Sequence, residues 1–237
     1  MKNLRQKIIL LLGIWMLIST GLVTAIVWRG PIQRAGICMA WGLIILWILL
    51  GGTLMHKYRD MVRAWIQNIP LKWQVKFVLF ATLLILIEEA ITTTMTNLAP
   101  LFGVKLGQAY ITASTNYFDV IFFHSVIVIA PMFVGWAVIL TYFDFTPFET
   151  FLLFGLTGTL AETSYGGPNA LSAFAFWIFV YGLMVYLPAY SVPAGRTAKK
   201  PKWWVFPLAV VFPFLFIPLT AWLPHLIDPK HPRVDFR

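Results

Sequence analysis

The stretch Leu84-Ile-Leu-Ile-Glu-Glu-Ala-Ile-Thr-Thr-Thr94 sets two adjacent carboxylates, Glu88 and Glu89, inside an otherwise apolar run. That run, from about 76 to 98, is long enough to cross a bilayer, for which roughly 20 residues are needed. An ionisable side chain at such depth costs at least about 2.5 kcal/mol on insertion scales. A tandem pair therefore predicts either polar partners from neighbouring helices or a chemical task.

Composition agrees with a membrane setting. The 237-residue chain is 59% hydrophobic and only 11% charged, whereas a soluble domain carries about 25% charge. The prediction is an all-α, polytopic transmembrane helical bundle, one membrane domain over residues 1–237, with the lipid bilayer as its surroundings. The net charge of +9 comes from Lys and Arg in short loops between apolar runs. That is the pattern of membrane topology, and no nucleic-acid partner is expected. The single cysteine, Cys38, excludes an intramolecular disulfide and a cysteine-rich metal site.

About seven spans are expected, near 8–28, 36–55, 76–98, 119–142, 149–165, 169–190 and 203–224. The first follows a basic start that resembles a signal peptide, but its apolar run exceeds the 7–15 residues of a signal core. Between the second and third spans, Asp60 to Pro70 reads as one interfacial amphipathic helix, capped by Asp60 and stopped by Pro70. Thr146-Pro-Phe-Glu149 is a capping box with proline at the first helical position, and Gly166-Gly-Pro168 should end the helix it opens. Loop charge sets the orientation. With the N-terminus inside, Lys2, Arg5, Lys7, Lys57, Arg59, Arg63, Lys72, Lys76, Arg196, Lys199, Lys200 and Lys202 are cytoplasmic. Only Arg29, Arg34, Lys105, Lys230, Arg233 and Arg237 fall outside. A multi-pass protein of the cell (inner) membrane with N-terminus in and C-terminus out follows. The run Arg196 to Trp204 reads as a cytoplasmic loop with an aromatic anchor, or as a site for anionic lipid.

Of nine acidic residues, three sit deep in spans: Glu88, Glu89 and Glu162. His124 is the one histidine inside a span, whereas His56, His225 and His231 flank spans. A rise of about 1.5 Å per residue puts all four groups roughly 18–22 Å up from the cytoplasmic side, on three different helices. From the glutamate pair, Thr92, Thr93, Thr96 and Asn97 continue a polar stripe toward the outer surface. Gly155, Gly158 and Thr159 share the side of Glu162, so another helix could approach there. With no Lys or Arg inside the spans, carboxylates sharing a site cannot all ionise easily. They can share a proton, pair with protonated His124, or bind a cation. The first two suit general-base activation of water, and the third suits a divalent metal such as Zn, Fe or Mn held by Glu88, Glu89, His124 and Glu162. A polar knot that only ties helices together is the plainer alternative.

A Glu-Glu pair in one span, followed about 35 residues later by a histidine in the next, resembles the CPBP group of intramembrane proteases. This group includes the CAAX prenyl proteases and bacteriocin-processing proteins. The likeness covers about residues 76–185, through the Gly-rich helix and short turn from Phe151 to Ala170. It implies that Glu88 and Glu89 activate a water for peptide hydrolysis and that His124 assists or binds the oxyanion. The substrate would then be a peptide or a prenylated protein; apart from the resemblance, the shared depth and helix face make Glu162, Thr92, Thr93 and Asn97 candidate supporting residues. Thr93 stands where the family usually has arginine, Val120 where it has an aromatic residue, and the sixth span carries no histidine.

Three functions are thus in view. The first is a membrane hydrolase of the glutamate-protease type. The second is a non-enzymatic subunit or scaffold that binds partner membrane subunits. The third is a proton or cation pathway, for which Leu83 to Ile87 leaves no polar route inward.

Overall fold

Within an apolar segment the backbone must satisfy its own hydrogen bonds, and the chain does so almost entirely as helices. The computed structural model describes residues 2–229, and no β-sheet occurs among them. Lys230, Arg233, Arg237 and His231 lie outside the described residues, as does the side chain of Lys2.

In chain order the helices are α1 (Lys2–Val27), α2 (Pro31–Leu43), α3 (Gly52–Asn68), α4 (Trp73–Asn97), α5 (Tyr117–Phe123), α6 (Ser125–Tyr142), α7 (Pro147–Gly166), α8 (Phe174–Tyr190), α9 (Val205–Val211) and α10 (Leu223–Ile227). Five stretches are long and apolar enough to cross a membrane: Leu4–Val27, Pro31–Asn68, Ser125–Tyr142, Ala170–Tyr190 and Val205–Ile227. Helices α4 and α7, with 25 and 20 residues, have the length but carry the glutamates and threonines. Outward-turned side chains on α1, including Leu10, Leu11, Ile14, Ile18 and Leu22, are exposed. An apolar face of that kind fits lipid and would be a liability in water.

The expected separate interfacial helix is not there. Residues 31–68 run as one continuous helix, because Ile44–Gly51 forms a π-helical segment that carries the Gly51-Gly52 pair without a break. At about 57 Å this helix is far longer than the roughly 30 Å hydrocarbon core, so its second half is an extension of the span. Asp60 is therefore mid-helix and caps nothing. Its carboxylate accepts from the Tyr190 hydroxyl at 2.6 Å and lies 3.8 Å from Arg59. The stop is as expected: Ile69 turns extended ahead of Pro70, whose ring disfavours helix in the residue before it.

Two further spans are interrupted. The expected 119–142 span breaks at His124 (φ −131°, ψ −110°), between α5 and α6. The 203–224 span consists of α9, a 3₁₀ segment Phe212–Leu219 and α10. Pro213 and Pro218 deny that segment its regular amide donors. Helix α7 opens with the predicted capping box, Thr146 and Glu149 satisfying each other's backbone, and ends at Gly167 (φ +76°).

Helices α7 and α8 form the tightest pair. A Cβ on Gly155 would stand 2.7 Å from the Ile178 Cα and carbonyl oxygen, and one on Gly182 would stand 2.7 Å from the Phe151 carbonyl. On Gly158 it would meet the ring of Tyr181. Small residues let backbones approach where lipid offers no hydrophobic drive for association. Behind this pair Trp136 is fully buried, with Phe145 and Phe154 edge-on to it. At the end of α6, Arg196 donates to the Leu140 carbonyl (3.0 Å) and meets Asp144 at 2.6 Å, while Lys199 pairs its backbone with Tyr142 and Asp144. The first residues of the basic run thus serve to fasten their own loop.

Gly155→Ala should lower thermal stability in detergent by about 1–3 kcal/mol, the range for overpacking a tight contact. Gly13→Ala, where nothing lies within 4 Å, should leave it unchanged; equal melting curves for the two would refute the close approach.

Candidate functional site

Adjacent residues on a helix point about 100° apart, so the two glutamates of α4 meet different surroundings. Both are buried, at 4% and 5% exposure. The Glu89 carboxylate accepts from the Thr92 hydroxyl at 2.9 Å, one turn along its own helix. It accepts equally from Thr112, at 2.9 Å, in the segment that joins α4 to α5. Ser125, the first residue of α6, completes the cage. Three hydroxyls from three parts of the chain thus solvate Glu89.

Glu88 differs. It is buried, and its electrostatic neighbours are Glu89 and Glu162. Glu162 comes from α7 and accepts from the Tyr181 hydroxyl of α8 at 2.5 Å. This bond depends on Gly158, whose missing side chain leaves room for the Tyr181 ring one turn below. His124, buried at 9% exposure, occupies the break between α5 and α6, directly before the serine that binds Glu89.

Glu88, Glu89, His124, Glu162 and Tyr181 all line one cavity of about 920 Å³. Its walls come from α2, α4, α5, α6, α7, α8, the 212–219 segment and the residues around Thr112. That volume is in the range of small-molecule sites. Most of the remaining wall is apolar, including Leu43, Met132, Phe154 and Phe214. The level shared by four residues in the sequence is therefore one chamber, lined by these polar groups and a mostly apolar wall. The sixth and seventh expected spans help to wall it, beyond the three that carry the ionisable groups.

The polar stripe divides by task. Thr92 belongs to the cavity. Thr96 accepts from the Ile111 amide at 3.3 Å, and Asn97 donates to the Thr115 carbonyl at 2.8 Å. These two residues pin the 98–116 connection and do not line a channel. The buried Thr93 hydroxyl has no partner among the described residues. The four ionisable residues also share the chamber without forming a metal centre. No three His, Cys, Asp or Glu side chains among the described residues come together to hold a metal ion.

Tyr181, Thr112 and Ser125 escaped the sequence reading. Tyr181 sits in Phe174-Ala-Phe-Trp-Ile-Phe-Val-Tyr181, where an aromatic residue carries no polar signal of its own. Thr112 is a loop residue with only composition to mark it. Ser125 was discoverable as the neighbour of the one deep histidine.

Set against protein-family models, curated proteins and solved structures, the chain matches none.

Proposed function

We propose that this protein is a membrane-embedded hydrolase in which Glu88 is the general base and His124 the second catalytic group. One observation carries the reading: Glu88, buried beside Glu89 and Glu162, lines a cavity that His124 also lines. A base must be free to take a proton within hydrogen-bond reach. Glu89 is held by hydroxyls that join helices and Glu162 by Tyr181, so the reading gives the proton transfer to Glu88.

The reaction is cleavage of an amide. Glu88 takes a proton from water as the water oxygen bonds to the carbonyl carbon. The oxygen of that carbonyl gains charge, which a protonated His124 can stabilise by hydrogen bonding. When the tetrahedral species collapses, the carbon–nitrogen bond breaks and the proton held by Glu88 passes to the leaving nitrogen. Glu89 and its hydroxyl cage keep α4, α6 and the 98–116 connection in register. Glu162, held by Tyr181, serves as a supporting proton partner of the site. A peptide or prenylated protein in the bilayer is the substrate this chemistry suits.

A second reading has its own support. The hydroxyl cage of Glu89 and the Tyr181–Glu162 bond join helices, as a purely structural knot would. In that case the protein is a subunit that binds other membrane chains through its exposed apolar faces, and it would purify with a stoichiometric partner. In either case we place it in the cell membrane with the N-terminus inside and the C-terminus outside.

Glu88→Gln and His124→Ala should each slow cleavage of a quenched fluorescent transmembrane peptide in detergent by about a hundredfold or more. Glu89→Gln should do so too, with an added loss of thermal stability. Unchanged cleavage in all three variants would remove the hydrolase. The orientation is checked separately in a Cys38→Ser background. Lys105→Cys should react with a membrane-impermeant maleimide on intact cells, and Lys57→Cys only after permeabilisation.

A further inference from the structure

Leu54, Tyr58, Met61 and Trp65 of α3 are spaced i, i+4, i+7 and i+11, which puts them on one helix face. All four are exposed, Met61 and Trp65 at 65% and 64%. The bundle is packed by other residues of the same helix, Met55 and Ile66, which are buried. Apolar surface is therefore left over beyond what the fold itself covers. The stripe follows Leu46 and Leu50, exposed earlier in the same continuous helix. Lipid, which covers those leucines in a membrane, is the cover that continuity favours.

Helix α8 sets the depth. Its apolar stretch, Ala170–Tyr190, ends at Tyr190, and the guanidiniums of Arg59 and Arg63 both lie over the Tyr190 ring, at 5.3 and 5.7 Å. The two arginines thus stand where a span leaves the hydrocarbon, at the level of the lipid phosphates. Tyr58, Trp65 and Tyr190 are the residue types that collect at this boundary. One turn apart on one helix, the two cations repel each other unless an anion joins them. The one acid of residues 52–68, Asp60, accepts from the Tyr190 hydroxyl at 2.6 Å and lies 3.8 Å from Arg59. Exposed Lys57, 5.2 Å from the Tyr58 ring, is a third cation against that single acid. A guanidinium suits the oxygens of a phosphate, which it can grip with two parallel N–H bonds. We propose that this end of α3 binds anionic phospholipids, with Arg59, Arg63 and Lys57 on the headgroup phosphates and the apolar stripe seated against the acyl chains. The assignment is independent of the hydrolase reading.

Native mass spectrometry of the full chain in detergent, with equal amounts of phosphatidylglycerol and phosphatidylcholine added, reads which lipid stays bound. The expected result is a preference for phosphatidylglycerol of about tenfold in the wild type. Arg59→Gln/Arg63→Gln should bring it near parity, and Arg63→Gln alone should fall between. Lys200→Gln/Lys202→Gln, which removes the same charge from the other basic run, should keep it. No preference in the wild type, an unchanged preference in the arginine variants, or an equal loss in the lysine variant would overturn the phosphate site. A second measurement needs no arginine variant to fold. In a Cys38→Ser background, a bimane on Met61→Cys in vesicles should be quenched by tail-brominated phosphatidylglycerol and not by iodide. Quenching by iodide alone, or shielding from both quenchers by a co-purifying protein chain, would overturn the lipid contact.

Discussion

Three carboxyl groups in an apolar bundle have to be hydrogen-bonded or to face a polar space, since neither lipid nor leucine can solvate them. The arrangement of α4, α6, α7 and α8 follows from that demand. Glu89 draws hydroxyls from its own helix, from the 98–116 connection and from the head of α6. Glu162 draws one from α8. Glu88 is left facing the chamber. The polar groups thus act as cross-links between elements that hydrophobic packing alone would not hold in register.

The α7–α8 contact is the mechanical counterpart. At Gly155, Gly158 and Gly182 the absence of a side chain lets the two helices approach. The close approach brings Tyr181 to Glu162 and presents Trp177 to the same cavity. A membrane bundle gains little from burying one apolar surface against another, because lipid is as apolar as the helix. Backbone proximity and shared hydrogen bonds carry correspondingly more of the specificity. Irregular backbone clusters at the same place: the break at His124 and the 3₁₀ turns of 212–219 both border the chamber. Non-helical backbone at depth is tolerated where it lines a cavity.

Much of this was legible in the residues. Apolar runs of span length, the capping box at Thr146, the stop at Gly166-Gly167-Pro168 and the glycines beside Glu162 are local signals, and local chemistry decides them. Glu88, Glu89, Glu162 and His124 stand out because a polar group in an apolar run has no cheap explanation. Less visible was the continuity of residues 31–68. Gly51-Gly52 and Asp60 look like a boundary, yet a π-helical segment absorbs the glycines and Tyr190 takes the aspartate. The polar stripe beyond the glutamates misled in a similar way, since spacing shows which residues share a face but not what covers it.

By itself the sequence determined an all-α membrane bundle and the few residues worth watching, because hydropathy, capping and the cost of buried charge act over one helix at a time. Tertiary structure alone decided that the four ionisable groups line one chamber, that Tyr181 serves Glu162, and that Thr112 serves Glu89. Those outcomes depend on which helix faces come together, and that choice is made by glycine contacts and hydroxyl positions up to many residues away in the chain.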